Sequence, residues 1–224
     1  MRATTVQIPR VHRLPGLSDY ATVHALQAEL LAQRIRGEIP DTLLLLEHAP
    51  TFTVGRARGA ESNLLDPGEA PVIRVERGGD VTWHGPGQLV AYPIVDLRNR
   101  REDLHLHLHS LEEAVIRTLA DLGQPSGRDD RNTGVWIDGK KVCSIGIACK
   151  RWVTWHGLAL NIAPDRSWWA RINPCGFDAS IMTSLDEHLD PVPALDDLIA
   201  PLAAHLADCL DLPRGTVEVG FPAS

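Results

Sequence analysis

Long apolar runs are missing from this chain of 224 residues. Its apolar stretches, such as the leucines at 43–46, fall far short of the roughly 20 residues that a membrane-spanning helix needs. The N-terminal segment 1–15 lacks the apolar core of a secretory signal. We therefore expect a cytoplasmic protein with no membrane partner.

Basic charge is also scarce. Lysine and arginine together number 22 against 29 aspartates and glutamates, which gives a net charge of −7. A general nucleic-acid partner is therefore not expected, because binding to phosphates requires a basic surface. The lysines are Lys140, Lys141 and Lys150, and every other basic residue is arginine. Because arginine keeps its proton at working pH, a lysine retained in such a chain is a candidate acid or base.

Paired cysteines are absent as well. The cysteines at positions 143, 149, 175 and 209 form no Cys-x-x-Cys motif, so we expect reduced thiols and neither disulfides nor a metal site. Histidines at 105, 107 and 109 alternate as ligands on a strand would, but the leucines around them have helical spacing. A helix places the middle histidine nearly opposite the other two, and we interpret all three as facing solvent.

Neither a linker nor an internal repeat divides the chain, and we expect residues 1–224 to form a single domain. Apolar spacing predicts helices at 19–36, 103–122 and 194–210, the first capped by Ser18 and ended by Gly37. Strand composition is found at 42–47, 51–54, 134–138, 141–148 and 152–162. Helices and strands do not alternate strictly, so we predict an α+β fold in which helices pack on a mixed sheet.

Glycine and proline are concentrated in the segment Arg77-Gly78-Gly79-Asp80-Val81-Thr82-Trp83-His84-Gly85-Pro86-Gly87-Gln88. Runs of strand composition at 72–75 and 89–92 flank it, which indicates a long loop between two strands. Glycine lets the backbone approach a ligand closely, so such a loop can hold an elongated substrate. A plain hairpin turn is the simpler alternative, but it leaves Thr82, Trp83 and His84 unexplained.

The pattern of this segment resembles the signature of lipoyl(octanoyl) transferases. Two further stretches resemble the same family: 141–146, with the sequence Lys-Val-Cys-Ser-Ile-Gly, and His156-Gly-Leu-Ala-Leu-Asn followed by Asn173-Pro-Cys-Gly. The similarity runs in order over most of the chain, from the strand at 42–47 to Leu185.

The resemblance implies a fold, an activity and partners. The fold is that of the catalytic module shared by lipoate and biotin protein ligases. The activity is transfer of an octanoyl group, without a cofactor, from octanoyl-acyl carrier protein through a cysteine thioester to a lysine of a lipoyl-accepting domain. The implied acceptors are the lipoyl domains of 2-oxoacid dehydrogenase subunits and the glycine cleavage H protein.

Other activities remain open at this stage. An ATP-dependent lipoate or biotin protein ligase would share the fold but would need no nucleophilic cysteine. A non-catalytic module that binds acyl chains or carrier proteins, and a cysteine hydrolase, are more distant alternatives.

A nucleophilic cysteine has to be accessible and close to positive charge, because the thiolate attacks. Cys143, Cys149 and Cys209 lie among apolar residues, which favours buried positions, whereas Cys175 lies between a proline and a glycine. The resemblance places the family's nucleophile at Cys175 and its catalytic lysine at Lys141. Strand alternation predicts that Lys141 and Cys143 share one face, so that Cys143 lies near the site.

Substrate-binding residues are implied by the resemblance in all three stretches. Of the histidines there, His84 and His156 rank below Lys141 as proton-transfer groups, since each has an alternative role in orienting loops. The residues expected to bind substrate are Arg77, Gly78, Gly79, Asp80, Val81, Thr82, Trp83, His84, Ser144, Ile145, Gly146, Gly157, Leu158 and Ala159.

The implied partners are usually acidic, and so is this chain. Docking then has to use local clusters of arginine instead of net charge. The candidate docking residues are Arg56, Arg58, Arg98, Arg100 and Arg101.

Overall fold

A computed structural model describes residues 7–222, without the side chains of Asn99 and Cys175. The strands are β1 (Arg10–Ser18), β2 (Thr42–His48), β3 (Thr51–Val54), β4 (Val72–Arg74), β5 (Val81–His84), β6 (Gln88–Ile94), β7 (Gly134–Ile137), β8 (Lys140–Lys150), β9 (Val153–Asn161) and β10 (Val217–Val219). The α-helices are α1 (Tyr20–Arg36), α2 (Leu104–Asp121) and α3 (Leu195–Cys209). Short 3₁₀ turns, among them Arg166–Arg171 and Pro174–Gly176, fill much of the segment between β9 and α3.

Seven strands form the main sheet, in the order β10-β1-β2-β6-β9-β8-β7. The pairs of β1 with β10 and with β2 are parallel, and the remaining pairs are antiparallel. A second sheet has the order β4-β3-β5. The expected α+β architecture with a mixed sheet is confirmed.

Both faces of the main sheet are covered, which explains the four consecutive leucines in β2. Leu43 and Leu45 belong to the core under α2 and α3, whereas Leu44 and Leu46 belong to the core under α1. A strand buried on both faces needs no polar alternation, so a short run of leucines fits a central strand. A third cluster of buried residues fills the space between the small sheet and the 3₁₀ turns.

Two local predictions need correction, and a third is confirmed. The N-cap of α1 is Asp19, whose carboxylate accepts a hydrogen bond from the Thr22 N–H at 2.8 Å, and not Ser18. The glycine-rich segment is not one long loop, because β5 forms inside it and pairs antiparallel with β3. Gly37 ends α1 as predicted, with a φ of 76° that suits glycine.

The alternation expected for β8 is also wrong. Lys141 pairs with Trp136 and Cys143 pairs with Val135, so Val142 is an additional residue on β8, as in a β-bulge. The bulge puts Lys141 and Cys143 in different surroundings. Cys143 is fully buried in the core under α2 and α3, away from the cleft that Lys141 lines.

Of the three α2 histidines, His105 and His109 are exposed as predicted, but His107 is buried, with 3% of its surface exposed. Neither ring nitrogen of His107 has a hydrogen-bond partner. Burial lowers the pKa of His107 from 6.5 to about 4. The ring is therefore neutral at neutral pH and costs desolvation energy without any compensating bond.

His107→Leu is expected to flatten the pH dependence of stability. A histidine with a lowered folded pKa binds protons more readily in the unfolded chain, so its contribution to stability is complete above about pH 6.5 and falls as pH drops towards about 4. At pH 5 the loss is about 2 kcal/mol. Urea unfolding at pH 7 and pH 5 measures it, with the exposed His105→Leu as control. If the free energy of unfolding falls between pH 7 and pH 5 by the same amount in His107→Leu as in the unaltered protein, His107 does not titrate as described.

Within residues 7–222, no helix combines the length and the apolar character that crossing a bilayer requires.

Candidate active site

A cleft of about 230 Å³ lies where β8 and β9 meet the segment that links β4 to β5. It contains most of the residues expected to bind substrate, although these come from distant parts of the sequence. The expected residues that line it, besides Lys141, are Arg77, Gly78, Gly79, Asp80, Thr82, His84, Ser144, Ile145, Gly146, Gly157, Leu158 and Ala159.

Val81 and Trp83 do not line this cleft. Their side chains are buried in the core of the small sheet, and Trp83 stacks on Trp168 with ring centroids 5.8 Å apart. Because side chains alternate along a strand, Thr82 and His84 point the other way, into the cleft. Val81 and Trp83 therefore support β5 from behind.

Arg77 shapes residues 76–80, between β4 and β5, which form one wall of the cleft and are called the wall segment below. Its Nη1 donates to the Gly78 carbonyl at 3.1 Å and to the Asp80 carbonyl at 2.8 Å. Its Nη2 donates to the Thr53 carbonyl at 3.0 Å and to the Thr53 hydroxyl at 2.8 Å. A guanidinium with these bonds ties the wall segment to β3 and fixes its turn.

Close packing of the wall segment on β8 explains the glycine at position 146. The Gly78 N–H donates to the Ile147 carbonyl at 2.8 Å. A Cβ on Gly146 would lie 3.1 Å from the Gly78 carbonyl oxygen and 3.2 Å from Cδ of Arg77, closer than almost all real contacts. A side chain at position 146 would therefore push the wall segment away from β8.

Gly78→Ala is expected to reduce acyl transfer while leaving the fold unchanged. The added Cβ would meet no atom closer than the Ile147 carbonyl oxygen, at 3.8 Å, so the free protein can accept it. Gly78 lines the cleft, so the methyl group would take up space there that the expected acyl substrate needs. The measurement is kcat/KM together with Tm. An unchanged kcat/KM would show that substrate does not approach this backbone; Gly79, with a φ of 84°, is a poorer test because alanine there is strained.

Lys141 lines the cleft and is 5% exposed. Its Nζ donates to the Thr133 carbonyl at 2.9 Å and to Oδ1 of Asn132, and it lies 5.1 Å from the centre of the Trp136 ring. These contacts hold the amine in one place. No motif pointed to Asn132 or Thr133, since both reach the site from the connection before β7.

The 3₁₀ turn Pro174–Gly176, which contains Cys175, lies beside Lys141. Lys141 and Ser144 line a narrow cavity whose other walls include Pro174 and Phe177, the residues that bracket Cys175 and Gly176. A backbone hydrogen bond joins the segment after the turn to β8: the Thr183 N–H donates to the Lys141 carbonyl at 3.0 Å. The fold thus brings the turn of Cys175 next to Lys141, although 34 positions separate them in the sequence.

The other cysteines have environments that disfavour a thiolate. Burial raises the pKa of Cys143 well above its usual value, and it also raises the pKa values of Cys149 and Cys209. All three thiols are at least partly buried. They behave as small apolar groups, as their sequence surroundings predict.

Tyr20, His84, Tyr92 and His156 also line the cleft, and His48 packs against them. His48 Nε2 lies 2.8 Å from the Tyr92 hydroxyl, and the Tyr20 ring lies within 5.6 Å of the rings of His48 and His84. Burial lowers the pKa of His48 to about 4, lowers that of His156 to about 3, and holds that of His84 well below 6.5. Neutral imidazoles with such low pKa values are weak bases, which agrees with ranking His84 and His156 below Lys141.

Several lining residues carry no signal that sequence reasoning could use. Some are apolar or aromatic residues of helices and strands that read as ordinary core, and others lie in a connection. The residues in question are Tyr20, Tyr92, Leu108, Asn132, Thr133 and Ile147.

A groove of about 840 Å³ lies elsewhere and shares no lining residue with the cleft. Of the candidate docking arginines, Arg100 and Arg101 line this groove. Ion pairs engage Arg100, which contacts Asp41 at 2.8 Å, and Arg98, which contacts Asp96 at 2.7 Å. None of these three arginines lines the cleft. Arg56 does lie near it, because its N–H donates to the Arg77 carbonyl, and it is exposed.

The chain is similar to known proteins over most of its length. Residues 19–207 match the family described as the lipoyl protein ligase A/B catalytic domain. The chain is 51% identical to the octanoyltransferase of Rubrobacter xylanophilus, covering 80% of this chain and 83% of that protein. It is 44% identical to the octanoyltransferase of Geobacter metallireducens, covering 93% and 97%.

Among solved structures, a lipoate-protein ligase A bound with ATP superposes with a TM-score of 0.72 at 15% identity, covering 96% of this chain and 88% of that one. At this identity the likeness establishes the fold alone. The family match and the octanoyltransferase relatives extend over most of the chain, including the wall segment, Lys141 and the turn of Cys175. The chain therefore belongs to the lipoyl protein ligase A/B catalytic-domain family and is an acyltransferase of its octanoyltransferase group.

Proposed function

We propose that this protein transfers an octanoyl group from octanoyl-acyl carrier protein to a lysine of a lipoyl-accepting domain through a thioester on Cys175. The observation that carries the proposal is the meeting of three features: an acyl-sized cleft, a fixed lysine in its lining and the turn of Cys175 beside that lysine. A nucleophile beside a cation, next to a cleft with an apolar wall, suits attack on a fatty thioester.

In the first half-reaction, the Cys175 thiolate attacks the thioester carbonyl of the donor. A carbon–sulfur bond to Cys175 forms, and the bond to the phosphopantetheine sulfur breaks. Lys141, as an ammonium, gives a proton to the departing thiolate, so that the carrier leaves as a thiol. The acyl chain stays in the cleft, against Ile145, Leu158 and Ala159.

In the second half-reaction, the amine of the acceptor lysine attacks the Cys175 thioester. A carbon–nitrogen bond forms and the bond to Cys175 breaks, which restores the thiolate. Lys141 is now neutral and accepts the proton that the attacking nitrogen loses, so both half-reactions leave the enzyme as it began. Backbone N–H groups at the turn of Cys175 or in the strand at 144–146 stabilise the negative oxygen of each tetrahedral intermediate.

The donor and acceptors follow from the same proposal. Octanoyl-acyl carrier protein delivers the chain, and lipoyl domains of 2-oxoacid dehydrogenase subunits and the glycine cleavage H protein receive it. Exposed Arg56 and Arg58, next to the wall segment, are suited to contact an acidic carrier. We place the reaction in the cytoplasm and assign it to a single catalytic domain that needs no cofactor.

An ATP-dependent ligase is the second candidate, because the fold is shared with a ligase that binds ATP. Identities of 44–51% to octanoyltransferases favour transfer from a thioester over adenylation of a free acid. The two functions need different acyl donors, so the donor requirement separates them.

We expect the purified protein to octanoylate an apo lipoyl domain from octanoyl-acyl carrier protein in the presence of EDTA and without ATP. Free octanoate with ATP and Mg²⁺ should give no product, because a thioester has to supply the activated acyl group. The mass of the lipoyl domain reports both reactions. Product formed only from octanoate, ATP and Mg²⁺ would assign the protein to the ligases.

A further inference from the structure

Three metal-binding side chains meet beside the cleft, and acyl transfer as described above uses none of them as an acid or base. They are His24 of α1, Glu76 at the start of the wall segment, and His156 of β9. One potential ligand atom from each lies within 4.8 Å of the others. Among residues 7–222, these three side chains are the one group of at least three histidine, cysteine or acidic residues that lie close enough together to hold a metal ion.

The separations suit a small metal ion. Oε2 of Glu76 lies 2.9 Å from Nε2 of His24 and 3.7 Å from Nε2 of His156. Two ligands that bind zinc at about 2.0–2.1 Å in a tetrahedral arrangement are themselves about 3.3 Å apart. One observed separation is shorter than this value and the other is longer, so a small movement of the half-exposed Glu76 side chain would bring both to the separation that zinc requires.

The state of His156 points to a ligand more directly. Its side chain is only 1% exposed, yet neither ring nitrogen has a hydrogen-bond partner. A buried polar group without a partner is costly, and native structures usually supply one. The Glu76 carboxylate oxygen lies 3.7 Å away, beyond hydrogen-bond distance, so a metal between the two would give the His156 ring a partner.

The surroundings also fix the rings that would bind the ion. The Trp155 ring packs on both histidines, with centroids 4.3 Å from His156 and 5.4 Å from His24. The backbone N–H of His156 donates to Oε1 of the buried Gln27 at 3.0 Å, which anchors β9 to α1 at this point. Such outer contacts orient ligands before the metal arrives.

We propose that His24, Glu76 and His156 form a binding site for a divalent transition metal of the zinc class. Two imidazoles and one carboxylate suit zinc, cobalt or nickel better than magnesium or calcium, which prefer oxygen ligands. The ion links α1, β9 and the residue directly before Arg77, so it holds the wall segment against the sheet. Its role is to stabilise the cleft, and the remaining coordination position takes water.

The test is to titrate the metal-free, full-length protein with two metals. Calorimetry measures the binding of Zn²⁺, and visible absorption measures the binding of Co²⁺. One ion per chain should bind, with a Co²⁺ spectrum that lacks thiolate charge-transfer bands. At about 100 times Kd, Zn²⁺ should raise Tm by about 5–10 °C. Cys175→Ser should bind equally well, which separates this site from binding at the reactive thiol.

His24→Ala is the deciding variant, because His24 does not line the cleft. Loss of an outer contact alone weakens metal binding about 10–100-fold, so loss of a ligand should weaken it by at least that factor. Glu76→Gln, at an exposed position, should have the same effect if His24→Ala proves unstable, and the exposed His105→Ala should have none. Unchanged Zn²⁺ affinity in the His24 and Glu76 variants, or binding that is lost in Cys175→Ser, would overturn the proposal.

Discussion

Lys141→Arg is expected to lose transfer by about 10²–10⁴-fold, the usual contribution of a general acid or base. Arginine preserves the positive charge beside the turn of Cys175 and can still pack on the Trp136 ring. It does not release its proton at working pH, so the attacking amine of the acceptor would have no base. The charge alone should keep part of the thiolate character of Cys175.

Lys141→Met should lose both acyl transfer and the thiolate character of Cys175, since it removes the charge but keeps much of the side-chain volume. The measurements are transfer rate and the pH dependence of Cys175 alkylation, whose midpoint is near pH ~8.5 for an ordinary thiol. Alkylation should shift towards that midpoint in Lys141→Met and less so in Lys141→Arg. Lys140→Ala, at an exposed position on the same strand, is the matched control.

Two results would contradict this assignment. Wild-type transfer in Lys141→Arg would reduce Lys141 to an electrostatic partner of the cysteine. An inactive Lys140→Ala beside an active Lys141→Met would show that the wrong member of the lysine pair was assigned.

Cys175→Ala should reduce transfer from octanoyl-acyl carrier protein by at least about 10³-fold, because the two half-reactions share this nucleophile. The variant should still bind the donor, since the cleft is built from other residues. Steady-state transfer and donor binding measure the two effects separately. Cys143→Ala serves as control: its thiol is buried and has a raised pKa, so this change should affect stability more than rate.

Retained transfer in Cys175→Ala would exclude the thioester route. Direct attack of the acceptor lysine on the donor would then be the remaining path, with Lys141 as its base.

Local patterns predicted the parts of the fold in which one residue type dominates. The leucines of β2 and the helical spacing in α2 gave elements within two residues of those observed. The alternation of Val81, Thr82, Trp83 and His84 was also readable as a strand, but the surrounding glycines suggested a loop. Strand β1 was missed because it contains a proline, a glycine and a register shift between Arg13 and Leu17.

Only the site residues that lie in recognisable sequence motifs were predictable. The wall segment and Lys141 could be named from sequence, but the bulge at Val142 could not, because it depends on the pairing of β8 with β7. The bonds that fix the Lys141 amine come from Asn132 and Thr133, whose approach is set by the packing of β7. The burial of His107 and the proximity of His24 to Glu76 likewise arise from tertiary contacts.

The most direct test of the central claim is intact-mass spectrometry of the protein after it is mixed with octanoyl-acyl carrier protein in the absence of acceptor. We predict one added octanoyl group per chain, which peptide mapping places on Cys175 and which an apo lipoyl domain then removes. The label should be absent from Cys175→Ser. An octanoyl group on Cys143 or another residue, or transfer without any acylated enzyme, would contradict the account.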